Sequence, residues 1–267
     1  MTTFDWVLKR DEVTAVSQRD AALGVPAAWP DWLPQEAAER IVGAGIPAPW
    51  RHQVEFADAL FHGEHAIVCT PTGSGKSLGY LMPIVAAAVH GQVGVTVDST
   101  RARLTRPRHT ALYLSPTKAL AHDQARAASL LGPRSWRSTP LDGDSDEVER
   151  RFARDHATFI LTNPDMLHYS VLPHHQRWAR FLGSLRYIVV DEAHRYQGIF
   201  GAHVAQVIRR LRRLAAQYGA QPTVALSSAT APNAGEFAET LIGAGPVRVV
   251  EEDASPSGRR TVALWRP

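Results

Sequence analysis

Two short stretches of this 267-residue chain carry residue types suited to phosphate chemistry. The first, Thr70-Pro71-Thr72-Gly73-Ser74-Gly75-Lys76-Ser77, follows the apolar run AIVC and opens a helical pattern. Glycines at 73 and 75 let the backbone turn tightly, so that successive N–H groups converge on phosphate oxygens beside the positive end of a helix. Lys76 offers a compact charge to the β- and γ-phosphates, and the Ser77 hydroxyl suits Mg²⁺. The usual first glycine of such a P-loop is Thr70 here. The second stretch, Asp191-Glu192-Ala193-His194, ends the apolar run YIVV. Its carboxylates must emerge at the C-terminal edge of a buried strand, where open α/β sheets bind ligands. Asp191 is expected to hold Mg²⁺ through water and Glu192 to polarise the attacking water as general base.

The elements that must position these residues are also visible. From about residue 51, apolar runs alternate with helical ones: AIVC (66–69), a helix over 76–90, ALYLS (111–115), a helix near 117–131, then TFILTN (158–163). RYIVVDE (186–192), a helix over 200–217, TVALSS (223–228), a short helix near 234–242 and VRVVEE (247–252) follow. Near-continuous apolar strands alternating with helices predict an α/β fold with a mostly parallel sheet and helices on both faces. Residues 1–50, broken by Trp29-Pro30, Pro34, Pro47 and Pro49, read as an N-terminal extension packed on a domain spanning 51–252. Residues 253–267 open with a Ser/Pro/Gly/Arg-rich stretch and read as the start of a linker.

Composition excludes several classes. Apolar residues make up 45% and charged residues 21%, which rules out disorder and coiled coil. No run approaches the length of a membrane span, and the N-terminus lacks a signal peptide's apolar core. The single cysteine, Cys69, permits no internal disulfide, excludes a Cys-rich zinc site and fits a reducing cytoplasm. A formal charge of +3 permits a phosphate-polymer partner without demanding one. Lysine occurs only at Lys9, Lys76 and Lys118, and two of these fall in motifs. Residues 91–110 carry Arg101, Arg103, Arg106 and Arg108 and read as a solvated insertion, with a nucleic-acid contact as the sharper alternative. Arg209, Arg210, Arg212 and Arg213 flank an apolar helix stripe. They read as a solvated face, against DNA contact or docking of a second domain. His168, His174 and His175 lack carboxylate or cysteine neighbours at metal spacing and read as surface histidines.

The pair TPTGSGKS and DEAH resembles motifs I and II of superfamily 2 helicases, and further motifs follow in the family's order over about residues 51–230. Arg51-His52-Gln53 resembles the Q-motif, which implies that Gln53 reads adenine. Ser115-Pro116-Thr117-Lys118 resembles motif Ia, Leu141-Asp142-Gly143-Asp144 motif Ib and Thr162-Asn163-Pro164-Asp165 motif Ic. The resemblance makes Pro116, Thr117, Lys118, Gly143, Asp144, Thr162 and Pro164 nucleic-acid contacts. Ser228-Ala229-Thr230 resembles motif III, which couples hydrolysis to movement, and His194 is placed between it and the γ-phosphate. LTNPDMLHYSVLPHH and DEAHRYQGIFGAHVAQVIRRLRRL are similar to the SftH/MrfA type of 3′-to-5′ DNA helicases. The resemblance thus implies a RecA-like P-loop NTPase domain using ATP and Mg²⁺, acting on single-stranded or 3′-tailed DNA and linked to repair. It further implies a second RecA-like domain, absent from this sequence, that completes the site, so that residues 1–267 alone hydrolyse little ATP. An RNA-dependent motor, or a nucleotide-gated binding module without turnover, remains open as an alternative.

Overall fold

The computed structural model describes residues 6, 10, 12–90, 109–133, 136–229 and 232–266. Lys9, the arginine-bearing stretch 91–108 and Thr230 lie outside the described residues. The chain begins with β1 (Val13–Arg19), α1 (Gln35–Gly43), α2 (Arg51–Phe61), β2 (Ala66–Cys69) and α3 (Lys76–His90). Next come β3 (Thr110–Leu114), α4 (Lys118–Leu131), β4 (Ser138–Pro140), α5 (Glu147–His156), β5 (Phe159–Thr162) and α6 (Pro164–Met166). A π-helical turn (Leu167–Val171) and α7 (Ala179–Leu182) lead to β6 (Leu185–Val190) and α8 (Gly198–Gln217). The chain closes with β7 (Thr223–Ser228), α9 (Ala234–Ile242), β8 (Arg248–Val250) and β9 (Arg260–Trp265).

Seven strands form one sheet in the order β4-β5-β3-β6-β7-β2-β8, and every pairing in it is parallel. The central strands are buried on both faces because alternate side chains enter separate cores. Ile67, Leu112, Leu114, Ile188 and Leu226 point into the layer covered by α8 and α9. Val68, Ala111, Tyr113, Val189 and Ala225 point into the layer covered by α1, α2, α3 and α4. This two-faced covering is why the strands read as unbroken apolar runs.

Helix α3 is buried all round from Leu78 to Ala86, as a central helix must be. Its close partner is α2. A Cβ at Gly79 would stand 2.8 Å from the Phe56 ring and 3.3 Å from the Gln53 carbonyl. The missing side chain therefore sets the distance between these helices, and with it the height of Gln53 over the start of α3.

The N-terminal extension is part of the core: Leu33, Ala37 and Ile41 bury themselves with α3 and α4. The Trp32 indole stacks on Phe61 at 4.3 Å and donates to Asp58 Oδ1 at 2.6 Å. Residues 253–266, in the stretch expected to start a linker, pair with the N-terminal extension. Val25 N–H donates to Ala254 O at 2.8 Å, Ala22 bridges Ser257, and β9 runs antiparallel to β1 from Arg19↔Arg260 to Val13↔Trp265. Small polar residues there signal exposure, which a two-stranded ribbon satisfies as well as a tether does. No helix among the described residues is long and apolar enough to cross a membrane.

Two predictions follow from the packing. Gly79→Val pushes α2 off α3 and should destabilise the chain by about 1–3 kcal/mol, read as a lower urea midpoint at unchanged slope. Burial also lowers the pKa values of His52 and His65 below the ordinary 6.5, and the Nδ1 of each accepts a backbone N–H, from Ala254 and Val224 respectively. Because the folded values lie below the unfolded one, this stability is complete above about pH 6.5 and is lost as pH falls through the lowered values. The urea midpoint should therefore drop between about pH 7.5 and pH 5.5, and His52→Gln should shallow that drop.

Candidate functional site

Strand β2 delivers the chain into a loop over Thr70–Gly75, and α3 starts at Lys76. Gly73 and Gly75 take φ of +89° and +80°, the left-handed turns that only glycine adopts cheaply. Thr70 is fully buried, and its hydroxyl pairs with the Ser74 Oγ at 2.7 Å, inside the loop rather than facing a ligand. It takes the place of a glycine by pinning the loop from within. Thr72, Gly73 and Gly75 are exposed and Ser77 is half-buried. The Lys76 ammonium donates to the carbonyls of Thr70 at 2.8 Å and Pro71 at 3.1 Å, across the mouth of the loop. Burial lowers the Lys76 pKa, while the charges of Glu192 and Asp191 pull it back up.

Gln53, expected against adenine, is held between the P-loop and the first turn of α2. Its amide nitrogen donates to Gly75 O at 2.8 Å, its amide oxygen accepts from Trp50 N–H at 2.8 Å, and the residue is 4% exposed. A Cβ at Gly75 would lie 2.5 Å from that nitrogen. The carboxamide is thus committed to the P-loop backbone and to the first turn of α2.

Asp191 stands at the end of β6, and its carboxylate accepts three hydrogen bonds. Tyr113 on β3 donates to Oδ2, Ser227 on β7 donates to Oδ1, and Glu192 N–H donates to Oδ1 at 3.0 Å. Burial pushes the Tyr113 phenol far above its ordinary range, so it stays a donor. A carboxylate offers about four lone-pair directions, so roughly one remains. That remaining capacity, with the Ser77 hydroxyl, is a hard-oxygen donor set that fits Mg²⁺.

Glu192 follows at φ +50°, a left-handed conformation that turns its side chain off the strand line. The His194 Nδ1 accepts from Ala229 N–H at 3.3 Å. A backbone N–H can only donate, so the imidazole proton sits on Nε2, and Nε2 lies 3.4 Å from Glu192 Oε2. The candidate base is therefore linked through one imidazole to the segment that leaves β7. Ser228, the last residue of β7, is fully buried.

The other half of the same edge, beyond β3 and β5, carries the expected nucleic-acid residues. Pro116 is half-buried, while Thr117, Lys118, Gly143 and Asp144 are exposed. The Thr117 side chain caps α4, and the Lys118 ammonium pairs with Asp144 at 2.6 Å. Two residues are placed differently. Thr162 is 1% exposed and gives its hydroxyl to Leu141 O at 2.6 Å, and Pro164 is buried at the start of α6. Thr162 thereby holds Leu141, the residue before the Asp142–Ser145 turn. Among the described residues no group of three or more His, Cys, Asp or Glu side chains is placed to hold a metal, and His175 is paired with Tyr218 at 2.7 Å.

Residues 50–237 match the family model of the DEAD/DEAH box helicases. The chain belongs to the DEAD/DEAH box helicase family. Among relatives of this family, the uncharacterized ATP-dependent helicase YprA of Bacillus subtilis is 38% identical over 88% of this chain and 30% of its own length. ATP-dependent helicase HRQ1 of Saccharomyces cerevisiae is 36% identical over 82% of this chain and 20% of its own length. The chain thus spans under a third of these relatives. Crystal structures of the DUF1998 helicase MrfA superpose over 98% of this chain: bound to DNA at TM-score 0.88 and 32% identity, and bound to DNA and AMPPNP at 0.87 and 33%. They cover 33% and 35% of those chains. The seven-stranded parallel sheet is the RecA-like helicase core.

Family motifs located Lys76, Asp191, Glu192 and His194, yet they do not include Tyr113 or Ser227. The available signal was a tyrosine inside an otherwise apolar strand, ALYL, since a buried phenol needs a partner. Ser227, next to the motif serine, carried no such signal.

Proposed function

We propose that this chain is the first RecA-like motor domain of an ATP-dependent DNA helicase or translocase, running 3′ to 5′ and serving DNA repair. The observation that carries the reading is the set of Lys76, Asp191, Glu192 and His194 at one sheet edge, with His194 bonded to Ala229 and beside Glu192. Relatives named as ATP-dependent helicases, and a DNA- and AMPPNP-bound relative that superposes over nearly the whole chain, support it.

In this reading the backbone of Gly73–Gly75 and the Lys76 ammonium bind the ATP phosphates, with Lys76 exchanging loop carbonyls for phosphate oxygens. Ser77 and Asp191 would hold Mg²⁺, which neutralises phosphate charge when bound. Glu192 accepts the proton of the attacking water, and His194 relays the state of Glu192 to Ala229 and the chain beyond β7. Single-stranded or 3′-tailed DNA lies along Pro116, Thr117, Lys118, Gly143 and Asp144. A phosphate reaching Lys118 displaces Asp144 from it. A second RecA-like domain of the same protein supplies the arginines that stabilise the transferring phosphoryl group, worth on the order of 10³–10⁵ in rate in related systems. The compartment proposed is the cytoplasm, with Cys69 buried at the end of β2.

Lys76→Ala should weaken binding of a fluorescent ATP analogue at least roughly tenfold, about 1.4 kcal/mol, with the fold intact by circular dichroism. Unchanged affinity would remove the phosphate assignment. In the full-length protein, Glu192→Gln should keep nucleotide affinity and lower DNA-stimulated turnover by roughly a hundredfold or more. Wild-type turnover in that variant would place the base elsewhere, and stimulation by RNA but not DNA would reassign the polymer.

A further inference from the structure

The four arginines of α8 serve two different faces. Arg209 donates to Thr240 O at 2.8 Å and Arg212 to Ile242 O at 2.9 Å, closing the carbonyl end of α9. Arg210 and Arg213, one turn apart on another face, have no hydrogen bond or ion pair among the described residues. They line a cleft of about 480 Å³ between α8 and the π-helical turn Leu167–Val171.

The walls of this cleft are aromatic. Tyr169 projects from the π-helical turn with 74% of its surface exposed, and Phe200 near the start of α8 is 45% exposed. Single-turn π-helices recur at functional sites, and exposed aromatics add nothing to a core. Across the cleft stand two arginines against one carboxylate, Asp165, with His168 and His203 also on the lining. Pro164 and Asp165, which follow Thr162 and Asn163 in the chain at the start of α6, also line the cleft.

We infer that this cleft is a binding site for single-stranded nucleic acid, which leaves the Lys118 edge and seats a base against Tyr169 and Phe200 and phosphates against Arg210 and Arg213. The inference rests on the proposed nucleic-acid-dependent activity and extends its track onto a face that the sequence motifs do not include. Unpaired guanidiniums neutralise a polyanion, and aromatic faces stack any base without reading its sequence. A protein partner would need carboxylates for the same arginines, but two arginines against one carboxylate beside two exposed aromatic faces, on a segment that follows Thr162 in the chain, favour a nucleic-acid strand.

Binding of a labelled oligodeoxythymidylate to the purified chain, followed by fluorescence anisotropy across salt concentrations, tests this. The Arg210→Glu/Arg213→Glu pair should weaken binding roughly tenfold or more and flatten the salt dependence by about 1.4 in log–log slope, two contacts at about 0.7 each. Tyr169→Ala, at a position too exposed to unsettle the fold, should weaken binding roughly fivefold or more with the slope unchanged. An iodouracil-substituted strand should crosslink at Tyr169 or Phe200. If Lys118→Ala weakens binding while the arginine pair and Tyr169→Ala bind as wild type, the cleft is off the track and the inference fails, although the motor reading stands. If the wild-type chain binds no oligonucleotide, both fall.

Discussion

Three neighbouring strands meet at one carboxylate. Asp191 at the end of β6 receives the Tyr113 hydroxyl from β3 on one side and the Ser227 hydroxyl from β7 on the other. Each donor is buried, and a hydrogen bond to a charged group in such a place is worth about 1.5–3 kcal/mol, with a larger cost if one partner is left alone. The carboxylate therefore fixes the relative height of the three strand ends. Everything that hangs from those ends inherits that register: the Glu192 turn, the segment after β7 and the loop that leads to Lys118.

The arrangement divides the sheet edge into two working halves joined at Asp191. On the β7–β2 side lie the P-loop and Lys76. On the β3–β5 side lie Lys118, Asp144 and, after β5, the Pro164–Tyr169 segment that lines the aromatic cleft. Beyond the shared sheet and its apolar cores, polar links cross at the strand ends: the Asp191 clamp, the His194 imidazole and the backbone of Ala229. A hydrogen-bonded imidazole between two segments has two distinct arrangements, bonded or released, which a packed apolar contact lacks. Such an element can be biased from either side, which is the physical content of coupling.

Much of this was legible in the sequence, for a definite reason. Strands buried on both faces are apolar throughout, so Ala66–Cys69, Leu185–Val190 and Thr223–Ser228 announced themselves, and the glycines at 73 and 75 marked backbone that no other residue fits cheaply. What was not legible depends on partners far away in the chain. The bond from the Gln53 amide to Gly75 is one such case, since Gly75 is a neighbour only once α2 packs at Gly79. Thr162 has the polarity of a contact residue, but its hydroxyl is spent on Leu141. The arginines of α8 look alike in sequence, and only the end of α9 separates Arg209 and Arg212 from Arg210 and Arg213. The pairing of Val13 with Trp265 spans nearly the whole chain, beyond the reach of any local pattern.

That pairing has a mechanical side. The contacts form a zipper, from Val13↔Trp265 at the tip, through Arg19↔Arg260 and Ala22↔Ser257, to Val25 and Ala254 at the base. Ala254 N–H is bonded to His52, the residue beside the Gln53 that clasps the P-loop. A pull on Trp265 therefore opens the ribbon rung by rung, each rung resisting with about 1 kcal/mol of net hydrogen-bond energy, before any load reaches His52. The ribbon thus stands between Trp265 and the residues that clasp the phosphate loop.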